Sequence, residues 1–280
     1  MDEAKRAPRR PLEAEEPRAF VPTPKNDLKK RIQHQVNAFF KRAEAEGRIK
    51  RLPTFLESYE DYPELKLLED GYPLIRDECL RLLGRKNEIT DIKLLGGNYT
   101  AGGIHTIEWK SFMLHAGGFI EENCRLCPGT AAILRNIPGL YSAFFSILEP
   151  DQYIRPHWGY YKGFVRYHLG VIIPRDNADG SCWLRIYDDP VENDTRRKEL
   201  IENGRKYHWR NGKGVFFDDT WLHDAANESD EVRVVLWLDL ARKMPWHLAL
   251  LNRFCLGVAQ LAPSVRRIRK NAVIGAKGAY

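Results

Sequence analysis

The sequence predicts a mainly β protein, a sandwich or barrel of short strands flanked by helices at both ends. Three observations carry that expectation. Beyond residue 96 the chain breaks into short β-branched and aromatic runs punctuated by Gly, Pro, Asn and Asp, the texture of strands joined by tight turns. Upstream of that point, apolar residues recur at helical spacing instead. The 280 residues are 43% hydrophobic, enough for one large core or two small ones, which excludes disorder along the whole length.

Residues 1–25 hold Pro8, Pro11, Pro17, Pro22 and Pro24 amid dense mixed charge. Such a composition cannot bury enough surface to offset the entropy of ordering, so a flexible tail is expected. From 26 to about 47, Leu28, Ile32, Val36, Phe39 and Phe40 define an amphipathic helix. A second helix is expected over 72–83, within a helical N-terminal region that runs to residue 88, and a third segment near 130–135. The clearest strands are 143–148, 164–173, 183–187, 214–217 and 232–240, inside a β domain spanning 89–242. From 245 to 270, Leu248, Leu250, Leu251, Phe254, Leu256, Val258 and Leu261 precede a basic cluster, and Pro263 is expected to end any helix. This C-terminal region, 243–280, reads either as a helix packed on the barrel or as a basic amphipathic segment resting on an anionic membrane surface.

The 44 Lys and Arg against 38 Asp and Glu give a net charge of +6. Much of the excess sits at the ends, in Lys5, Arg6, Arg9 and Arg10 and in Arg266, Arg267, Arg269 and Lys270. A basic face on the folded part is therefore not required, and nucleic acid is not an expected partner. No run approaches the ~18 apolar residues of a membrane span, and the N-terminus lacks the apolar core of a secretory signal, so a cytoplasmic address is expected. The five cysteines are odd in number and scattered, which argues against a disulfide framework. Cys124 and Cys127 form a C-x-x-C before Pro128 but lack two further zinc ligands at matching spacing, so they read as ordinary thiols at a loop-to-helix junction.

Within strand 164–173, alternation puts Val165, Tyr167, Leu169, Val171 and Ile173 on one apolar side and Arg166 with His168 on the other. Burying that second side is costly unless something anionic or hydrogen-bonding faces it; a satisfied structural Arg and His is the competing explanation. Residues 214–239 read as a β-hairpin with His223 just past its first strand and Arg233 early in its second. A metal on His223 and a guanidinium forked onto the far carboxylate would together hold a small dicarboxylate. His157, in the loop entering the Arg166 strand, is the candidate second ligand, since two neutral imidazoles with open positions suit a divalent first-row metal. The usual non-haem iron site adds a carboxylate two residues after the first histidine, and here that residue is Gly159. Asp218 and Asp219 read as groups orienting the His223 ring or as turn residues. Trp158, Tyr160, Tyr161 and Trp221 flank the histidines and could wall the mouth or belong to the core.

Taken in order, Trp109-Lys-Ser-Phe112, Cys124-Arg-Leu-Cys-Pro128-Gly-Thr130, Ser146-Ile-Leu-Glu-Pro150, Pro156-His157-Trp-Gly159, Arg166-Tyr-His168-Leu-Gly170, Phe217-Asp-Asp219, His223 and Arg233 resemble the aspartyl/asparaginyl β-hydroxylase family of Fe(II)- and 2-oxoglutarate-dependent oxygenases. The similarity covers roughly residues 89–242. It implies a double-stranded β-helix, a distorted jelly roll, with iron at one mouth. His157 and His223 fall on the family's iron ligands. Arg233 and Ser146, with Trp109 beside them, match positions that hold the distal carboxylate of 2-oxoglutarate. Arg166 and His168 match those near its metal-chelating end and the substrate. The implied partners are 2-oxoglutarate, dioxygen and a small-molecule or peptidyl substrate, and the implied products include succinate and carbon dioxide. Gly159 is similar to the glycine of the animal enzymes' two-histidine site, whereas the lipid A hydroxylase branch keeps an aspartate there. A substrate-facing arginine of the animal enzymes is replaced here by Phe164, which weakens the expectation of an acidic peptide substrate.

Two other classes compete with this reading. A jelly-roll binding module could keep the scaffold without turnover, and Gly159 gives that some footing. A membrane-peripheral lipid hydroxylase would differ only in its substrate.

Overall fold

The computed structural model describes residues 28–95 and 107–274, so the tail expected over 1–25 lies outside the described residues. Seven α-helices occur among them: α1 (Leu28–Ala45), α2 (Lys66–Asp70), α3 (Tyr72–Leu83), α4 (Glu121–Cys124), α5 (Pro128–Leu134), α6 (Trp246–Gln260) and α7 (Pro263–Asn271). The strands are β1 (Trp109–Ala116), β2 (Leu140–Leu148), β3 (Gln152–His157), β4 (Phe164–Ile172), β5 (Cys182–Tyr187), β6 (Arg205–His208), β7 (Gly214–Phe217), β8 (Leu222–Asn227) and β9 (Arg233–Ala241). They form a five-stranded sheet in the order β1-β2-β9-β4-β7 and a four-stranded sheet in the order β3-β8-β5-β6. Every pairing in both is antiparallel. This is the expected mainly β jelly roll, a double-stranded β-helix with helices on its flanks.

The five-stranded sheet has two unlike faces. On one, Val165, Tyr167 and Leu169 of β4 and Leu236 and Leu238 of β9 pack with Ile75 and Cys79 of α3 and Ala131 and Leu134 of α5, apolar against apolar as the alternation requires. Glu78 of α3 fixes that layer: its buried carboxylate accepts the backbone N–H groups of Gly129 and Thr130 and the Thr130 hydroxyl, at 2.7–2.8 Å, an anion set on the N-terminus of α5. Cys124 and Cys127 are buried free thiols at this junction, as expected. On the opposite face, Met113, Phe144, Val215, Phe217 and Val235 meet Ile154, Leu184, Ile186 and Ala225 of the smaller sheet.

Two local expectations are corrected. The segment 214–239 is not a hairpin: β7 pairs with β4, β9 pairs with β2 and β4, and β8 between them crosses to the other sheet to pair with β3 and β5. Residues 218–221 therefore span the gap between sheets, a long-range choice that a local run of turn residues does not encode. Pro263 does not merely stop a helix; α6 ends at Gln260 and Pro263 opens α7, the first-turn position where a missing N–H costs nothing.

Helices α1 and α6 close the end of the roll, where Phe40 and Ala43 of α1 and Leu248 and Leu256 of α6 surround Tyr161 and Phe164. Beside them lies a buried ionic quartet. Lys162 pairs with Glu44 of α1 and with Asp218, both at 2.6 Å, and Arg242 pairs with the same two acids. Two cations and two carboxylates, each doubly partnered, make such a network tolerable at depth. It ties α1 to the segment after His157 and to the turn before His223.

Candidate active site

The functional side chains arise from the parity of the strands. His223 lies on β8 with Ala225 on the face turned toward the five-stranded sheet. His157 would face the other way in a regular strand. Ile154 is opposite Ala225, yet His157 is opposite His223: three residues on β3 match two on β8. That bulge puts His157 on the same side as Ile154 and re-aims its ring inward. His157 thus sits at the end of a strand, not in the loop expected from the sequence.

The two imidazoles meet, with ring centroids 4.1 Å apart. Each is held by the same device. His157 Nδ1 lies 2.8 Å from the carbonyl of Arg155 and His223 Nδ1 lies 2.8 Å from that of Trp221, so each Nδ1 carries the proton and each Nε2 keeps its lone pair. Burial pushes the His157 imidazole down to about 4 and holds His223 well below its ordinary value. Both rings are neutral at pH 7, the protonation state that binds a metal. Asp218 and Asp219 occupy the turn, as expected, but neither orients His223; the Trp221 carbonyl does.

Among the described residues no group of three or more His, Cys, Asp or Glu is arranged to hold a metal. The space where a side chain at 159 would begin is filled: a Cβ on Gly159 would run into the carboxylate of Asp219, while the Gly159 N–H donates to the Asp219 carbonyl at 2.7 Å. The room that a side chain at 159 would need is thus taken by an acid from elsewhere in the chain. Asp219 is raised to about 6 by burial, against the lowering effect of Arg166.

Arg166 is fully engaged. Its Nη2 lies 2.8 Å from Asp219 Oδ2, its Nε donates to Asp239 Oδ1 at 2.9 Å, and its Cζ sits 3.9 Å from the Trp237 ring centroid. Asp239 also accepts the Ser142 hydroxyl. The strand-alternation expectation that Arg166 needs an anion before it is met inside the protein, by two carboxylates.

Deeper along the same face the polar groups are unmet. His168 is buried among Trp237, Phe217 and Trp209, at centroid distances of 4.8, 4.9 and 5.8 Å, and neither ring nitrogen has a partner. Burial keeps it neutral. Arg233 is 2% exposed, its Nε is unpartnered and it is in no ion pair among the described residues. Its Cζ lies 4.7 Å from the Trp209 ring centroid. Burial lowers its guanidinium to about 10, still protonated at neutral pH. A buried unpaired cation costs on the order of several kcal/mol, a cost that an anion beside it would relieve. Ser146 Oγ accepts the Trp109 Nε1–H at 2.9 Å, which leaves its own hydroxyl proton to donate; Ser111, across the β1–β2 pair, has an unpartnered Oγ. Two imidazoles with free Nε2 atoms near the mouth, and a neutral histidine, a hydroxyl and an unpaired guanidinium further in, fit a divalent metal and a short dicarboxylate.

All the residues singled out in the sequence, His157, His223, Arg166, His168, Ser146, Trp109 and Arg233, fall on the facing surfaces of the two sheets. Sequence reasoning missed Asp239, Trp209 and Trp237. Asp239 had a signal: it is the one carboxylate in the apolar run of β9, and it stands opposite Arg166 in register. Of the four flanking aromatics, Tyr160 is exposed and Trp158 half-buried, while Tyr161 belongs to the core around α1 and α6 and Trp221 stacks under Lys162 and Arg51.

Fold and site together define a double-stranded β-helix with paired histidines on the smaller sheet and a buried arginine on the larger. Residues 69–243 match the aspartyl/asparaginyl beta-hydroxylase family, and the chain belongs to it. It is 32% identical over 213 residues to an ornithine lipid ester-linked acyl 2-hydroxylase of Rhizobium tropici, covering 73% of this chain and 66% of that protein. It is 25% identical over 211 residues to the Homo sapiens aspartyl/asparaginyl beta-hydroxylase, covering 71% of this chain but 23% of the human protein. Among solved structures, a non-heme alpha ketoglutarate dependent epimerase from nogalamycin biosynthesis aligns over 72% of this chain and 82% of its own, with a TM-score of 0.37 and 15% identity.

Proposed function

We propose that this chain is an Fe(II)- and 2-oxoglutarate-dependent hydroxylase acting on an unactivated C–H bond. The observation that carries the reading is the unpaired, buried Arg233 with partnerless His168, set below two facing neutral imidazoles. His157 and His223 would hold the iron; Arg233 and Ser146 would hold the distal carboxylate of 2-oxoglutarate, and His168 would donate to the co-substrate between them. When bound, ferrous iron with 2-oxoglutarate and dioxygen supplies the oxidising equivalent that places an oxygen atom on a C–H bond, with succinate and carbon dioxide released. The protein's own part is to keep both imidazoles unprotonated, to hold Asp219 in the space beside Gly159 through Arg166, and to exclude water from the Trp237–Trp209 floor.

For the substrate, an acyl chain fits better than a peptidyl carboxylate. Phe164 at the start of β4 is buried against Tyr141 and Tyr161 and offers no cation to a peptidyl carboxylate, and Arg166, two residues on, is already neutralised by Asp219 and Asp239. The rhizobial relative, named for acyl 2-hydroxylation of an ornithine lipid, supports the same choice. Incubation with Fe(II), 2-oxoglutarate, labelled dioxygen and an acylated ornithine lipid should yield succinate and labelled hydroxy-lipid in equal amounts. Neither metal uptake nor succinate with lipid, peptide or amino-acid substrates would instead make the chain a jelly-roll binding module.

A further inference from the structure

Helix α6 is apolar on two sides. Leu248 and Leu256 face inward, while Trp246, Leu250, Phe254 and Val258 follow one another at four-residue spacing on the outer side, with Leu261 just past the end, all 55–79% exposed. Scattered exposed apolar residues need no explanation, but a continuous helical stripe with nothing packed on it does. Both ends of the stripe carry basic residues in no ion pair among the described residues. At the N-terminal end a cavity of about 350 Å³ is lined by Arg48, Lys50, Asp61, Arg242 and Lys243; Arg48, Lys50 and Arg242 are paired with Glu46, with Asp61, and with Glu44 and Asp218, which leaves Lys243, over the Tyr62 ring, as the cation there in no ion pair among the described residues. At the other end α7 presents exposed Arg266, Arg267, Arg269 and Lys270, likewise in no ion pair among the described residues.

We infer that α6 and α7 form a docking surface for an anionic lipid bilayer, the α6 stripe entering the acyl layer and the flanking cations meeting headgroup phosphates. An apolar band with basic residues at its margins is the pattern of a helix lying in the interface. Neither helix spans alone: the 15 residues of α6 make about 22 Å at 1.5 Å per residue, short of the ~30 Å hydrocarbon layer, and α7, which together with α6 has the length and composition of a span, is bent from it by 62°. No single helix among the described residues is long and apolar enough to cross a membrane. The surface is joined to the candidate site, because Asn252 on the inner side of α6 accepts the Tyr161 hydroxyl and donates to the Gly163 carbonyl, both at 2.8 Å. These residues belong to the segment between His157 and the Arg166 strand. The docking surface stands without the hydroxylase reading; only its corollary, that the acyl substrate is drawn from the same bilayer, rests on it.

The test is co-sedimentation of the full chain, without iron or 2-oxoglutarate, with vesicles of phosphatidylcholine alone or with about a third phosphatidylglycerol. Pelleting should favour the anionic vesicles by roughly tenfold and weaken with salt, and the Trp246 emission should shift to the blue, a shift lost in Trp246→Phe. The double variant Leu250→Glu, Phe254→Glu should abolish pelleting while its thermal unfolding stays cooperative. Arg266→Gln with Arg267→Gln, on an exposed helix, should remove the anionic preference. Absence of binding to either vesicle, or binding unchanged in both double variants, would overturn the inference. So would self-association in vesicle-free buffer that disappears in the Leu250, Phe254 variant, which would make the stripe a contact between copies. No turnover is read, so this result and that of the succinate assay fail or succeed separately.

Discussion

The two faces of the five-stranded sheet are made by alternate residues of the same strands, yet they obey different rules. On the helix-covered face Val165, Tyr167, Leu236 and Leu238 meet only apolar partners or satisfied groups. On the other, one residue along each strand, His168 and Arg233 are buried with polar atoms unmet. The first face is complete in the isolated chain. The second keeps a guanidinium nitrogen and both nitrogens of an imidazole without partners, and that asymmetry is what the proposed site rests on.

The contrast can be broken most directly at the histidine pair. His223→Ala leaves one imidazole to hold the metal, and turnover should fall by more than the ~100-fold typical of losing a group behind a ligand; retention of Fe(II)-dependent succinate formation would remove His223 from the site. Phe145→Ala, on the helix-covered face at 0% exposure, should cost ~3–5 kcal/mol in urea unfolding with the 2-oxoglutarate KM of the folded protein unchanged. Arg233→Met should do the reverse: KM for 2-oxoglutarate rises at least ~10-fold, while the ligand-free protein unfolds no more easily, since an unpaired buried charge has been replaced by an apolar group. A loss of 3–5 kcal/mol there, of the kind seen when a paired charge is cut, would show that the guanidinium has a protein partner after all. Gly159→Asp should lower activity by at least about tenfold, because its side chain must expel Asp219 and strip the buried Arg166 guanidinium of one partner; a large gain would instead mark a damaged three-ligand site. The smallest effect is expected for Ser146→Ala, roughly a fivefold rise in KM from one lost hydrogen bond, read in the same assay.

The same two-face comparison explains what could be read from the sequence. Strands β2, β4, β5, β7 and β9 stand out because at least one of their faces is a run of Val, Ile, Leu, Phe or Trp. Strand β8, Leu-His-Asp-Ala-Ala-Asn, has no such run: His223 serves the candidate site, Asp224 binds Arg185 and Tyr153, and Asn227 donates to the carbonyls of Leu148, Glu149 and Glu231. Its polar residues are each satisfied by tertiary contacts invisible in a local window, which is why the segment looked like the end of a hairpin. Strands β1, β3 and β6 were missed as well; all three lie at sheet edges, and β3 and β6 are polar besides, whereas β1 carries Phe112, Met113 and Leu114. The site residues were legible through their order along the chain and their resemblance to a known family. Which of their charges were already neutralised was not, because the partners Asp219 and Asp239 are brought to Arg166 only by sheet pairing.

The bulge on β3 makes the aim of one imidazole a matter of counting. At the present spacing a bulge-free β3 would turn the His157 ring to the outer face, away from His223, whereas a segment one residue shorter between Ile154 and His157 would need no bulge and would leave the ring on the inner side. The direction of this side chain is therefore set by chain length as well as by residue identity, so two chains that share the motif can differ in where it points.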